Sequence, residues 1–250
     1  MIIRAKYTKT DAMVYLSHLD MVRLFERAFR RAAIPVSYTQ GFNPHPVLSF
    51  AAPISLGVES ISEYMDVGVV EPIDPSAFVQ MMNDVLPTGI RILHAHLIEE
   101  GTPPSLMKAV SLMEYHVTMQ WKRSPDRSHL EQSIFLFLNR EKILVQKKTK
   151  KNKKKGSRAH SFKEIDLLPF INEMNLLSIE GTNIVIQLFL HVKNQETVKP
   201  SLVMNQWICS YGFEEELMET RYRRTGIYRR NTELQHVPMF SKPEEKTEKA

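Results

Sequence analysis

Chemistry in a protein needs a nucleophile, a base or a ligand set placed beside its partner. In this chain of 250 residues the nearest approach to that is a pair of histidines, His18 and His45. His45 sits between two prolines in Gly41-Phe42-Asn43-Pro44-His45-Pro46, and a neutral imidazole at either position suits a general base. Neither histidine has an acid, a nucleophile or a second histidine at a spacing that would complete a site. His94 and His96 share one strand face but make no ligand set, so no metal is expected. There is no His-x-x-x-His pair, glycine-rich phosphate loop or Gly-x-Ser-x-Gly elbow. The single cysteine, Cys209, rules out an internal disulfide and a Cys-based cluster or zinc site on this chain alone. It stands beside Trp207 and Ile208, where a buried, inert thiol is expected. The chain is expected to hold no cofactor.

Charge carries a stronger signal than catalysis. The net charge is +5, yet residues 142–163 hold ten lysines or arginines and no acid. Taking those ten from the total of 33 leaves 23 basic residues against 28 acidic ones elsewhere. The chain is therefore mildly acidic with one very basic segment. Its centre, "KKTKKNKKKGSR" over 147–158, carries eight positive charges in twelve residues: Lys147, Lys148, Lys150, Lys151, Lys153, Lys154, Lys155 and Arg158. With no apolar residue it cannot pack, and its charges repel one another until a polyanion neutralises them. Binding of nucleic acid, RNA foremost, would release counterions and depend steeply on salt, with little sequence preference. The plainer reading is a solvated loop tip.

A second basic stretch, "RYRRTGIYRR" over 221–230, interleaves Arg221, Arg223, Arg224, Arg229 and Arg230 with Tyr222 and Tyr228. Alternate side chains of a strand share a face, so arginines and tyrosines together could meet phosphates and stack on bases. An edge strand guarded by positive charge is the alternative. A third set, Arg23, Arg27, Arg30 and Arg31, falls opposite the apolar stripe of the first expected helix, as on any surface helix.

These residues need elements to hold them. Residues 2–9 alternate as a half-buried strand. Ser17 caps a helix over 18–33 whose stripe is Val22, Phe25, Phe29 and Ala32, and Pro35 stops it. Residues 36–39 read as a strand, then the Gly-Phe-Asn-Pro-His-Pro loop, then a strand over 47–52. The prolines hold Asn43 and His45 in a stiff, outward-facing connector, with Phe42 expected as its anchor into the core. A strand over 63–70, a helix opened by Asp74-Pro75 and a strand over 90–98 complete a β-α-β-β-α-β order. The second half repeats it loosely. A strand covers 111–121, a helix runs from Ser124-Pro125 to about 139, and 143–146 with 163–168 form a hairpin tipped by the lysine tract. Then follow a strand over 183–192, a helix over 200–211 and a strand over 219–230.

The expected class is thus α+β, with two tandem ferredoxin-like (βαββαβ) domains. Their bounds are 1–100, containing the proline-rich loop, and 111–231, containing the lysine-rich tip at 147–158. A linker over 101–110 joins them, and 232–250 are expected as a disordered tail. The opening Met1-Ile2-Ile3-Arg4-Ala5-Lys6 has no apolar run, so no secretory signal is expected. No apolar stretch is long enough to span a bilayer, and the lone cysteine fits a reducing, cytoplasmic setting.

Residues 16–67, "LSHLDMVRLFERAFRRAAIPVSYTQGFNPHPVLSFAAPISLGVESISEYMDV", carry a family resemblance. The stretch resembles the signature of the bacterial radical-SAM-associated proteins, a family defined around a domain of unknown function. The likeness continues more loosely through Glu164-Ile165-Asp166-Leu167, Val198-Lys199-Pro200 and 220–228. A basic residue is frequent in that family where Val47 stands, so the resemblance implies no anion contact there. Its members are commonly fused to, or encoded beside, a cobalamin-binding-type radical S-adenosylmethionine (SAM) protein. The resemblance therefore implies such a partner, which would itself carry the iron–sulfur cluster. Family genes often neighbour those of a ribonuclease E/G-type enzyme and of large-subunit ribosomal proteins, which again points to RNA. The tandem ferredoxin-like order is also similar to RNA-processing endonucleases of CRISPR systems, a likeness of fold alone.

Together these readings make the chain a non-catalytic RNA-binding accessory of a radical SAM enzyme, in RNA modification or ribosome-related RNA metabolism. The Phe42–Asn43–Pro44–His45–Pro46 loop would contact the partner or a feature of the RNA. Alternatives are a metal-independent RNA-processing enzyme using His45 or His18, and a purely protein-binding scaffold.

Overall fold

The computed structural model describes residues 1–98, 105–148, 162–231 and 233–240. In chain order its first elements are strand β1 (Ile2–Lys9), helix α1 (His18–Arg31), and strands β2 (Leu48–Phe50) and β3 (Glu59–Gly68). Helix α2 (Pro75–Asn83), strand β4 (Ile92–Ile98), the single-turn helix α3 (Leu106–Ala109) and strand β5 (Val110–Trp121) follow. Next come helix α4 (Arg127–Leu138) and strands β6 (Leu144–Lys148), β7 (Phe162–Asp166), β8 (Ile171–Glu180) and β9 (Asn183–His191). Helix α5 (Pro200–Tyr211) and strands β10 (Leu217–Arg230) and β11 (His236–Pro238) close the chain. The class is mixed α+β. Contacts divide it into two units, residues 1–115 with those from 222 onward, and residues 116–221. The chain crosses from one unit to the other within β5 and returns within β10.

In the first unit, alternation along β1 turns Ile3, Ala5, Tyr7 and Lys9 to the interior. Ser17 caps α1 as its type predicts, accepting from the Asp20 N–H at 3.2 Å. The helix buries Met21, Phe25, Ala28 and Phe29, so Met21 rather than Val22 completes the stripe. Asp74 caps α2 by accepting from the Ala77 N–H at 2.9 Å, with Pro75 at the first helical position. β1 pairs antiparallel with both β3 and β4, and β2 pairs antiparallel with β3, giving the order β4-β1-β3-β2. β10 joins β3 in parallel, with Arg223 opposite Glu59, and β5 lies beyond β10. Phe25, Phe29, Met65, Phe78 and Met82 fill the core beneath. The strand expected over 36–39 reduces to two isolated bridges, Val36 with Val69 and Tyr38 with Pro46. Residues 236–238, expected within the tail, form β11 on β10, with Met239 buried behind it.

In the second unit, β5, β9 and β8 lie side by side, and β6 pairs with β7 as an antiparallel two-stranded sheet. Asp126 caps α4 by accepting from the His129 N–H at 2.7 Å. α4 and α5 supply Leu130, Ile134, Phe137, Val203, Met204 and Trp207 to a core shared with Ile184, Ile186, Leu188 and Leu190 of β9. The Trp207 indole N–H donates to Ser133 Oγ at 3.2 Å, which satisfies the buried polar groups of both helices. β8 answers to no sequence expectation. Its order, INEMNLLSIE, buries Ile171 and Met174 and leaves most other positions at least partly exposed, so the period-two signal is faint. Cys209 is exposed, which corrects the expectation of a buried thiol. On α5 it falls away from Val203, Met204, Trp207 and Ile208, the face turned inward. Among the described residues no helix is long and apolar enough to cross a membrane.

Two consequences of this packing are measurable. Gly89 has φ +93°, and a Cβ there would lie 2.5 Å from the Thr10 carbonyl oxygen. Gly89→Ala should therefore destabilise the protein by about 2 kcal/mol or more in urea unfolding, through backbone strain and a backbone clash. The Glu214 carboxylate beside Cys209 holds the thiol above its usual pKa, with a smaller contribution from desolvation. Cys209 should accordingly react slowly with iodoacetamide at neutral pH despite its exposure, and Glu214→Gln should speed it several-fold.

Candidate functional site

Buried charge is rare unless paired, and the first unit holds a cluster of it. Arg224 of β10 is 2% exposed, Glu63 of β3 2% and Lys9 of β1 1%. A guanidinium has five N–H donors in a rigid fork, and here each finds an acceptor. Nη1 donates to both Glu63 oxygens, at 3.0 and 3.2 Å. Nε donates to Tyr115 Oη at 3.2 Å, and Nη2 to Tyr115 Oη at 3.1 Å and to the Pro53 carbonyl at 3.0 Å. The guanidinium also lies over the Tyr115 ring, 5.4 Å from its centroid. Burial opposes the Arg224 charge, but Glu63 and Tyr115 outweigh it and hold its pKa above the ordinary value.

Lys9 lies on the same interior face, and its ammonium donates to the Leu16 carbonyl at 2.9 Å. Desolvation lowers its pKa, with Glu63 opposing and Arg224 adding to the shift. Burial pushes Tyr7 well up, and Glu63 pushes it further. A recess of about 20 Å³ opens among Tyr7, Lys9, His18, Phe50 and Glu63, which is room for about one water. His18 is exposed at its edge, where its ring meets Phe50 edge-on at 5.2 Å. The arrangement places two buried cations against one carboxylate whose two oxygens are both taken by Arg224. Its clear task is to clamp β10, β3 and the segment around Pro53 into one register.

The proline-rich loop is a small closed turn. Thr39 N–H donates to the His45 carbonyl at 2.8 Å, and His45 N–H donates to Thr39 Oγ1 at 3.1 Å. Asn43, Pro44 and His45 are exposed and Pro46 is half-buried. Phe42, expected as the anchor, is instead fully exposed, because the Thr39–His45 hydrogen bonds close the turn without it. His45 Nδ1 lies 4.0 Å from Glu26 on α1. Among the described residues no hydrogen bond or ring contact brings His18 and His45 to a common partner.

The basic residues divide. Arg224, expected with the RNA-facing set, is interior and committed to Glu63; alternation along β10 sends it inward while Arg223 stays out. Arg223 donates to Glu59 at 2.8 Å, and Arg221 pairs with Glu219 through two bonds of 2.8 and 2.9 Å. Both pairs lie at the surface, where water and salt screen them. Tyr222 is half-buried and burial pushes its pKa up to about 12. Tyr228 donates to Glu114 Oε2 at 2.6 Å. Arg229 is half-buried, Arg230 is exposed, and burial lowers His236 nearby, with Arg230 adding to the shift. Lys147 and Lys148 end β6; Lys150, Lys151, Lys153, Lys154, Lys155 and Arg158 lie outside the described residues. β6 and β7 pair from Leu144–Asp166 to Lys148–Phe162, so the tract joins two paired strands. Among the described residues no cluster of three or more His, Cys, Asp or Glu could hold a metal ion.

Sequence reasoning missed the charge clamp. A signal was present in the phase of the strands. Ile3, Ala5 and Tyr7 are the apolar positions of β1, and Lys9 continues their phase, as Glu63 does that of Met65 and Val67.

The fold and these surfaces define a mixed α+β protein with a buried ionic clamp and segregated basic segments. The chain belongs to the DUF2344 family, described as an uncharacterized protein conserved in bacteria, whose model matches residues 3–200. No curated protein matches it. Among solved structures it is similar to a Cbf5–Nop10–Gar1 complex, with TM-score 0.45 and 9% identity, covering 89% of this chain and 48% of that one. An H/ACA RNP bound to a substrate RNA containing 2′-deoxyuridine gives TM-score 0.44 and 9% identity over 89% and 47%. An archaeal box H/ACA sRNP Nop10–Cbf5 complex gives 0.42 and 8% over 89% and 46%. The chain thus spans about half the length of these structures. At such scores the likeness carries no argument about function.

Removing one member of the clamp leaves the other charge buried without its partner. Arg224→Met should therefore cost about 3–5 kcal/mol in chemical denaturation, and Glu63→Leu a similar amount. The double variant should cost clearly less than the sum; additive losses would show that the two groups do not act as a pair.

Proposed function

We propose that this protein is a non-catalytic RNA-binding accessory of a cobalamin-binding-type radical SAM enzyme, acting in cytoplasmic RNA modification or ribosome-related RNA metabolism. The observation that carries the reading is the segregation of charge: residues 142–163 hold ten basic and no acidic residues, and the rest of the chain is net acidic. The β6–β7 pairing supports a hairpin that would offer this charge to a polyanion. Arg221, Arg223, Arg229 and Arg230, with Tyr222 and Tyr228, would add a backbone grip along β10, without Arg224. The exposed Phe42–Pro46 turn would meet the partner or a feature of the RNA. The radical SAM partner rests on the family resemblance of residues 16–67. The single cysteine accords with it, since a cluster would then be the partner's. We further propose that each half is a ferredoxin-like module. The element order and the β4-β1-β3-β2 strand order of the first half support this.

The test is binding of a labelled single-stranded RNA over a salt series. The eight tract charges alone predict a log–log slope of about −6 on single-stranded RNA. Replacing the eight tract residues by glutamine and serine should flatten that slope and weaken binding by about tenfold or more. Unchanged RNA affinity in this variant combined with Arg221→Gln, Arg223→Gln, Arg229→Gln and Arg230→Gln would refute the RNA reading. RNA altered by the purified protein alone, and no longer altered in His45→Ala, would replace it with an enzyme.

A further inference from the structure

The arginines of α1 do more than solvate a helix. Leu24, Arg27, Arg30 and Arg31 border a groove of about 530 Å³ whose other wall is Val85 and Pro87, between α2 and β4. The guanidiniums are held in place. Arg27 Nε donates to the Arg23 carbonyl at 3.2 Å, Arg30 Nε to the Glu26 carbonyl at 3.3 Å, and Arg31 Nη2 to the Val85 carbonyl at 2.8 Å. Among the described residues no carboxylate pairs with Arg27, Arg30 or Arg31, whereas Arg23 has Asp20 at 3.8 Å. Of the acids of α1, Asp20 accepts from Ser17 and its charge also acts on Arg23 and Arg27, and Glu26 lies 4.0 Å from His45. Arg30 and Arg31 also suit the C-terminal end of a helix dipole, but Arg27 lies a turn earlier and has no such reason.

From this geometry we infer that the groove is a docking site for a protein segment that alternates carboxylates with aliphatic side chains. Three guanidinium forks with no carboxylate at ion-pair distance match carboxylates in bidentate geometry. The floor of Leu24, Val85 and Pro87 takes an aliphatic side chain. Among the described residues no aromatic side chain lines the groove, so they offer no platform on which a base would stack, and that favours a peptide over RNA. From Leu24 to Arg31 the helix rises about 10 Å, the reach of about three residues of extended peptide. The site stands apart from the RNA reading and does not depend on it.

Fluorescence anisotropy of the full chain tests this with three labelled probes: a peptide of alternating Glu and Leu, its Glu/Ser counterpart, and an oligouridylate of similar charge. The Glu/Leu peptide should bind about tenfold tighter than the Glu/Ser one and lose about tenfold in Arg27→Gln with Arg30→Gln. These exposed positions tolerate glutamine within a helix, and circular dichroism checks the fold. Equal affinity for the two peptides, no saturable binding, or affinity untouched by the arginine variant overturns the proposal. So does an oligouridylate that loses more than the peptide does. Neutralising 147–158 should leave Glu/Leu binding unchanged, so failure of the RNA reading is seen separately.

Discussion

An arginine inside a protein is tolerable only where every donor of its fork is met and its charge is answered. That requirement at Arg224 governs the first unit. Its five N–H groups need the Glu63 carboxylate from β3, the Tyr115 hydroxyl from β5 and the Pro53 carbonyl from the segment before β3. Partners from around β3 and from β5, all more than a hundred residues away in sequence, must converge on one side chain of β10. A hydrophobic residue at Arg224 would accept many neighbouring arrangements, whereas the fork accepts few. In physical terms the pair adds little net stability over apolar packing but strongly penalises other registers. The parallel pairing of Arg223 with Glu59 and Arg224 with Ser60 is the register that the fork allows.

The clamp changes what the basic stretch over 221–230 can do. One of its five arginines is interior, and two more face carboxylates at the surface. The stretch is closer to charge balance than its composition implies, and the lysine tract is left as the concentrated charge. The two kinds of basic residue then differ in character. Arginines fixed by their own helix or strand present a geometry and can select a partner by shape. Lysines in a tract without apolar residues present only density of charge, which favours affinity for a polyanion with little discrimination.

Much of the fold was legible because its helices carry explicit punctuation. Ser17 and Asp74-Pro75 each place a cap before an apolar stripe, and Pro200 opens α5 at the residue where it was expected, whereas α4 is capped by Asp126, two residues after the expected opening at Ser124-Pro125. Strands were less legible where their signal depends on what lies across from them. β8 has a weak alternation and becomes a strand because β9, strongly apolar, pairs along its length. Residues 36–39 alternate well enough but meet only single bridging partners, Val69 and Pro46. Cys209 was misplaced because an apolar neighbourhood in sequence does not say which side of a helix faces in, and Phe42 because the Thr39–His45 hydrogen bonds close its turn without an anchor.

That same ambiguity hid the clamp. Period two states that Ile3, Ala5, Tyr7 and Lys9 share a face, and that Arg224 and Tyr222 share another. It is silent on whether a charged member ends the buried run or is drawn into it. The answer depends on whether an opposite charge arrives from elsewhere in the chain, and Glu63 sits 161 residues from Arg224. Read from either end alone, each residue looks like an ordinary solvated charge. Each is buried because the other is, which makes the pair a property of the tertiary structure that no local pattern can carry.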